Sequence, residues 1–180
     1  MIDFSQYLKG VQIWHCSNLF NWFIESLKYI RITILQINVL KNRFKNILVA
    51  LDGSINSTRG MNEAISLARQ CKGSITGIYV LPAFPSEQTI SRSYRQYLVR
   101  VSEKFMLHAK TAAARHGIEF EEKIVTSNDI VNAISAFAKS DRSDVIVIGA
   151  RGQSSPKSTF LGSVSNGILN SCRIPVLVVR

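Results

Sequence analysis

Asp144 to Ser163 reads DVIVIGARGQSSPKSTFLGS. After the leading aspartate, the run Val145 to Ile148 is apolar and β-branched, the composition of a short strand buried on both faces. Gly149 follows it, Gly152 comes three positions on, and nine further residues lead to the pair Gly162-Ser163. Glycines at the end of a buried strand leave backbone N–H groups uncovered, so that they can close on an anion. A helix beginning near Gly162-Ser163 would aim its unpaired N–H groups and its positive dipole end at the same point. Ser163 adds a hydroxyl able to donate to a phosphate oxygen or to reach a bound metal. In outline this is a phosphate-binding loop.

Outward from that loop, the pattern alternates strand and helix. Ile47 to Leu51 reads as a buried strand, and Ser57 is the expected N-cap of a helix from about Thr58 to Cys71, with Met61, Ala64, Ile65, Ala68 and Cys71 on one face and Gly73 as the stop. Ser74 to Leu81 is a second strand, closed by Pro82. A long helix fits Ile90 to Arg115, where Tyr94, Leu98, Val101, Phe105, Ala109 and Ala112 recur at helical spacing, and Gly117 ends it. Ile118, Phe120 and Ile124 alternate with charged residues, as in a strand with one wet face near a sheet edge. A helix from about Asp129 to Lys139, capped by Ser127 or Asn128, leads to the strand ending at Gly149. After the glycine loop come a helix from about Ser163 to Ser171 and a last strand, Ile174 to Arg180. The order βαβαβαβαβ predicts an α/β fold: a doubly wound, five-stranded parallel sheet with helices on both faces. Ligands on such sheets bind outside the carboxyl ends of the strands, where the winding reverses. Asp52-Gly53-Ser54 and Gly149-Ala-Arg-Gly152 are the natural pair of turns to flank that crevice.

Several residues there carry chemistry. Asp52 ends an otherwise apolar strand and can accept hydrogen bonds from an adenine or ribose, or help hold a divalent cation. Arg151 and Lys157 can neutralise phosphate charge. There is no Walker-type GxxxxGK[ST], no triad and no paired-carboxylate site, so little or no intrinsic turnover is expected and no catalytic residue is assigned.

The spacing resembles the G-2x-G-9x-G-[S/T] signature of the nucleotide-binding branch of the universal stress protein family. Lys45 to Ser54, KNILVALDGS, resembles that family's first strand and its Asp-Gly-Ser turn, and Ile174 to Arg180, IPVLVVR, its last strand. The resemblance spans residues 45–180 and leaves 1–44 as an amino-terminal extension. It implies an adenine-nucleotide α-hydrolase-like fold with strand order 3-2-1-4-5, a property that periodicity does not reveal. It also implies an ATP site, with Mg or Mn as the accompanying cation at Asp52 or Ser163. Gly149, Gly152, Gly162 and Ser163 carry over onto the phosphate motif. Asp52 falls in the nucleotide pocket, Ala50, Val80 and Ile148 surround the base, and Ser54, Arg151 and Val164 complete the expected contacts. Pro156 and the polar run Gln153-Ser-Ser155 differ from the family's more aliphatic loop, so ADP or AMP stands beside ATP as a candidate ligand. The last strand would pair with its copy in a homodimer. A nucleotide-independent dimeric module and a slow hydrolase or adenylylating enzyme of the same fold are the rival functions; the intact glycine motif counts against the first, and the missing HIGH-type signature against an adenylylating enzyme.

Composition sets the outer limits. In 180 residues, 46% of them hydrophobic, there is material for one domain with an extension. Cys16, Cys71 and Cys172 are scattered, with no CxxC, so neither a disulfide framework nor a zinc site is indicated and a cytoplasmic location is expected. His15, His108 and His116 have no metal-ligand spacing. The net charge of +10 is spread along the chain, with no aromatic-interleaved basic stripe, so no sequence-specific nucleic-acid partner is expected. In the extension, the longest uncharged part of Leu19 to Leu40 runs only from Ile32 to Leu40, too short to span a bilayer. Phe20, Phe23, Ile24, Leu27 and Ile30 can share an interfacial helical face. Ile32, Ile34, Ile37 and Val39 read equally well as strand, and both readings stay open beside a start codon assigned too far upstream. No signal peptide is indicated.

Overall fold

The computed structural model describes residues 43–83, 92–153 and 161–180. The extension up to residue 42, with both readings of it, lies outside them. Among the described residues the strands are β1 (Asn46–Ala50), β2 (Ser74–Leu81), β3 (Phe120–Thr126), β4 (Val145–Gly149) and β5 (Val176–Val179). They alternate with helices α1 (Ile55–Cys71), α2 (Arg92–Arg115), α3 (Ile130–Ser140) and α4 (Ser163–Ser171). All strand pairs are parallel and the order is β3-β2-β1-β4-β5, the doubly wound sheet with order 3-2-1-4-5.

Strand alternation sorts the core into two halves. Ile47, Val49 and Leu51 of the first strand and its exit face α1 and α2, where they meet Met61, Ala64, Ile65 and Ala68 together with Met106, Ala109 and Ala113. Leu48 faces the other way, into a cluster with Ile134, Ala138 and Ile168 from α3 and α4. All five residues of β4 are buried, as its composition predicts.

Local signals shift several boundaries. α1 begins at Ile55 and is capped by Ser54, not Ser57: Ser54 Oγ accepts the Ser57 N–H at 3.1 Å, and Ser57 is buried in the first turn with its hydroxyl donating to the Ser54 carbonyl. The tight turn through Gly53, at φ +78°, brings Ser54 into cap geometry three residues early. At the other end the left-handed residue is Lys72, at φ 53°, one before the expected stop. Gly73 is required for space instead, since a Cβ there would lie 2.7 Å from the carbonyl oxygens of both Phe44 and Lys45. α3 is capped by Asp129, whose Oδ1 accepts the Asn132 N–H at 2.9 Å, and Ser127 accepts the Asp129 N–H from outside the helix.

The buried line of α2 runs through Ser102, Met106, Ala109 and Ala113, rotated from the expected one, and Tyr94 is exposed. The β3 strand takes the edge as expected, but Ile124 is exposed. Ser93 to Tyr97, the first turns of α2, are exposed as well. β5 starts at Val176, because Pro175 has no N–H to give and enters the ladder only as an acceptor from the Ile146 N–H. No helix among the described residues is long and apolar enough to cross a membrane.

Candidate functional site

β1 and β4 are neighbours, so the turns at their carboxyl ends lie side by side. The Asp52 carboxylate holds them together: Oδ1 accepts the Ser54 N–H at 2.9 Å, Oδ2 accepts the Gln153 N–H at 3.2 Å, and the Gln153 side-chain amide donates to the Asp52 carbonyl. Asn56, in the first turn of α1, adds a second tie by donating from its amide to the Arg151 carbonyl at 3.1 Å. Gly149 packs against the same helix end. A Cβ there would stand 2.8 Å from the Asn56 carbonyl carbon and 3.0 Å from the Ser57 nitrogen, so this glycine is needed for the fold whatever binds. Gly152 is needed for Asp52, whose Oδ2 would lie 2.6 Å from a Cβ at that position.

Gly162 is different. Its φ of −66° suits any residue, and a Cβ would find only ordinary contacts, the nearest being Arg151 Cα at 3.4 Å. It is the N-cap of α4 and provides no side-chain cap where Ser, Thr, Asp or Asn would normally do so. Its N–H donates to the Ala150 carbonyl at 2.8 Å, and Ser165 Oγ donates to the same carbonyl at 2.9 Å. These bonds pin the helix over the Ala150–Arg151 segment. Among the described residues, the N–H groups of Ser163, Val164 and Ser165 meet no acceptor. Ser163 is exposed at this end.

The apolar candidates fall on one face of the sheet. Val80 and Ile148 are buried in the α3/α4 cluster, with Ala50 and Val164 half-buried at its margin. Val80 and Ile148 are thus core side chains whose backbone alone is left for a ligand. Ser54 serves as the α1 cap, so its hydroxyl oxygen is already an acceptor while its proton is free to donate. The two Asp52 oxygens each have one partner and retain further lone pairs. No group of three or more potential metal-ligating residues occurs among the described residues, so a cation here would take most of its ligands from phosphate and water. Residues 154–160, with Pro156 and Lys157, lie outside the described residues.

Phe105 packs against the same turn, its Cδ1 lying 2.9 Å from where a Cβ on Gly53 would be. Tyr79 meets the Phe105 ring edge-on, with centroids 5.1 Å apart. Burial first, then the Asp52 and Tyr94 charges, push the Tyr79 phenol above its ordinary value. Asn56, Ser165, Phe105 and Tyr79 were absent from the sequence-based candidates. Nothing local distinguishes them: each looks like helix or strand filling until the two turns are brought together.

The arrangement defines a class, a doubly wound parallel α/β domain with a glycine loop and an uncapped helix amino end at its switch point. The chain belongs to the universal stress protein family, whose model matches residues 43–180. It is similar to the universal stress protein YxiE of Bacillus subtilis, at 30% identity over 152 residues, covering 76% of this chain and 99% of that one. Among solved structures, it resembles a universal stress protein family member from Burkholderia pseudomallei, with a TM-score of 0.64 and 22% identity over 76% of this chain and 96% of the other. It also resembles the universal stress protein from Archaeoglobus fulgidus in complex with dAMP, with a TM-score of 0.59 and 21% identity over 77% and 99% of the two chains.

Proposed function

We propose that the protein is a nucleotide-binding regulatory member of its family, taking ATP, ADP or AMP between the Asp52 turn and the Gly149–Ser163 loop. The observation that carries this reading is Gly162. Neither its backbone angles nor its packing calls for glycine, and it leaves the α4 amino end without a side-chain cap. A phosphate there would accept the idle N–H groups of Ser163 and Val164 and gain from the helix dipole. Arg151 and the Ser163 hydroxyl would add donors, Asp52 would receive the sugar or base, and Asp52 or Ser163 would help hold an accompanying Mg or Mn, which would supply charge neutralisation for the phosphates. The Archaeoglobus fulgidus relative, solved with a nucleoside monophosphate, supports the ligand class.

The test is Gly162→Ser. A serine would cap α4 itself, so thermal stability should hold or rise by a few tenths of a kcal/mol. Its Oγ would occupy the N–H groups a phosphate needs, so calorimetric titration should show nucleotide binding weakened about tenfold or more. Unchanged affinity in the folded variant, or no binding of ATP, ADP or AMP by the wild type, would overturn the reading. Mass spectrometry of small molecules released on denaturation would name the nucleotide, and incubation of the protein with ATP would reveal turnover if there is any.

Assembly as a homodimer belongs to the same proposal. β5 is at the sheet edge, with Leu177 39% exposed on a strand of four apolar residues. Such edges are normally paired or covered. A two-fold copy would pair strand with strand and close the assembly. Light scattering of the full chain should give a dimer at micromolar concentration and a monomer for Leu177→Glu. A wild-type monomer would refute it.

A further inference from the structure

At the amino end of the sheet, away from the glycine loop, a cleft of about 660 Å³ opens between the end of α1, the starts of β1 and β2, and the turn from α2 into β3. Lys45, Arg69, Lys72, His116 and Glu119 line it, with Gly73 among the backbone groups of its wall. Three of these are full cations. Among the described residues none of the three makes an ion pair, and Glu119 is the one carboxylate on the wall. Unneutralised cations around a concavity focus positive potential inside it.

Helix electrostatics offer the competing explanation, since α1 and α2 both end here and basic side chains favour carboxyl ends. The ends are already capped by backbone, however. The Lys72 and Gly73 N–H groups donate to the Ala68 carbonyl, those of His116 and Ile118 to the Ala113 carbonyl, and that of Gly117 to the Ala114 carbonyl. The Lys45 ammonium takes the Cys71 carbonyl at 2.6 Å, which fixes its nitrogen in the wall and leaves it two more protons to donate. Arg69 and Lys72 are left over, both exposed beside the same opening.

We infer that this cleft is a second ligand site, separate from the glycine loop, for a phosphate-bearing small molecule. Lys45, Arg69 and Lys72 would bind the phosphate, and Glu119 would accept a hydroxyl or amine from the rest of the ligand. The volume suits a molecule of nucleotide or sugar-phosphate size.

The test uses the full chain and inorganic pyrophosphate as probe, followed by amide NMR. Saturable shifts are expected at Gly73, Ser74 and Gly117. Pairing Arg69→Gln with Lys72→Asn should weaken them about tenfold or more while leaving any response at Gly149 and Gly162 unchanged. Asparagine tolerates the left-handed backbone at position 72, so the variant should fold. If it does not, Arg69→Gln alone must still weaken the shifts at Gly73 and Gly117. Two results would overturn the inference: no saturable shift at these amides, or shifts that the substitutions leave unaltered. Vesicles containing phosphatidylglycerol form a second arm. Perturbation of these amides by vesicles but not by pyrophosphate would assign the cations to a lipid surface and also overturn it.

Discussion

The two ends of the sheet are built from the same alternation of strand and helix, and they differ in which helix termini they receive. At the carboxyl end of the strands α1 and α4 begin, so N–H groups and positive dipole ends converge on two glycine turns. At the amino end α1 and α2 finish, their carbonyls satisfied by Lys72, Gly73 and Gly117 turns, and the cations come from side chains. On the two proposals, one end would hold an anion through fixed backbone, the other through flexible Lys and Arg. Backbone donors are already ordered and cost little entropy to use, whereas each long side chain must be immobilised on binding.

The largest effects should come from glycines that are structural at either end. Gly73→Ala and Gly149→Ala each force a Cβ to within 2.8 Å of backbone atoms, and each should lower stability by about 2 kcal/mol or more in urea denaturation. Equal stability in either variant would mean that these close approaches relax freely. Next comes Gly152→Val, which displaces the Asp52 carboxylate. On the proposed function it should weaken nucleotide binding about tenfold or more, with a smaller loss of stability than at Gly149. If calorimetry instead gave wild-type affinity, Asp52 and the loop would not share a ligand. The smallest effect should be removal of residues 1–42. Every described strand and both ends of the sheet lie after that point, so a chain starting at Arg43 should melt within a few degrees of the full chain and bind nucleotide alike. Aggregation or lost binding in the shorter chain would make the extension part of the core.

The face of α1 shows how far periodicity reaches: Met61, Ala64, Ile65, Ala68 and Cys71 are all buried, as their spacing predicts. The amino end of the same helix shows where it stops. Ser54 and Ser57 are both acceptable caps by residue type, and the choice depended on where Gly53 and the Asp52 hydrogen bonds placed the chain. For α2, spacing pointed to a line through Tyr94, Leu98, Val101, Phe105, Ala109 and Ala112, whereas the residues buried in the fold are Ser102, Met106, Ala109 and Ala113.

Alternation of buried runs and amphipathic stretches, which is local, was enough to determine an open parallel sheet with a glycine loop beyond β4. The order of strands entered through family resemblance, because pairing is a contact between distant segments. Gly149, Gly152 and Gly162 look alike in the sequence, and only the tertiary structure shows that the first abuts the backbone of α1, the second the Asp52 carboxylate, and the third nothing closer than ordinary contact. The cationic cleft could not be read at all in one dimension: Lys45, Arg69 and His116 belong to three segments, and the sheet brings them together because parallel strands start at one end and the connecting helices must return to it.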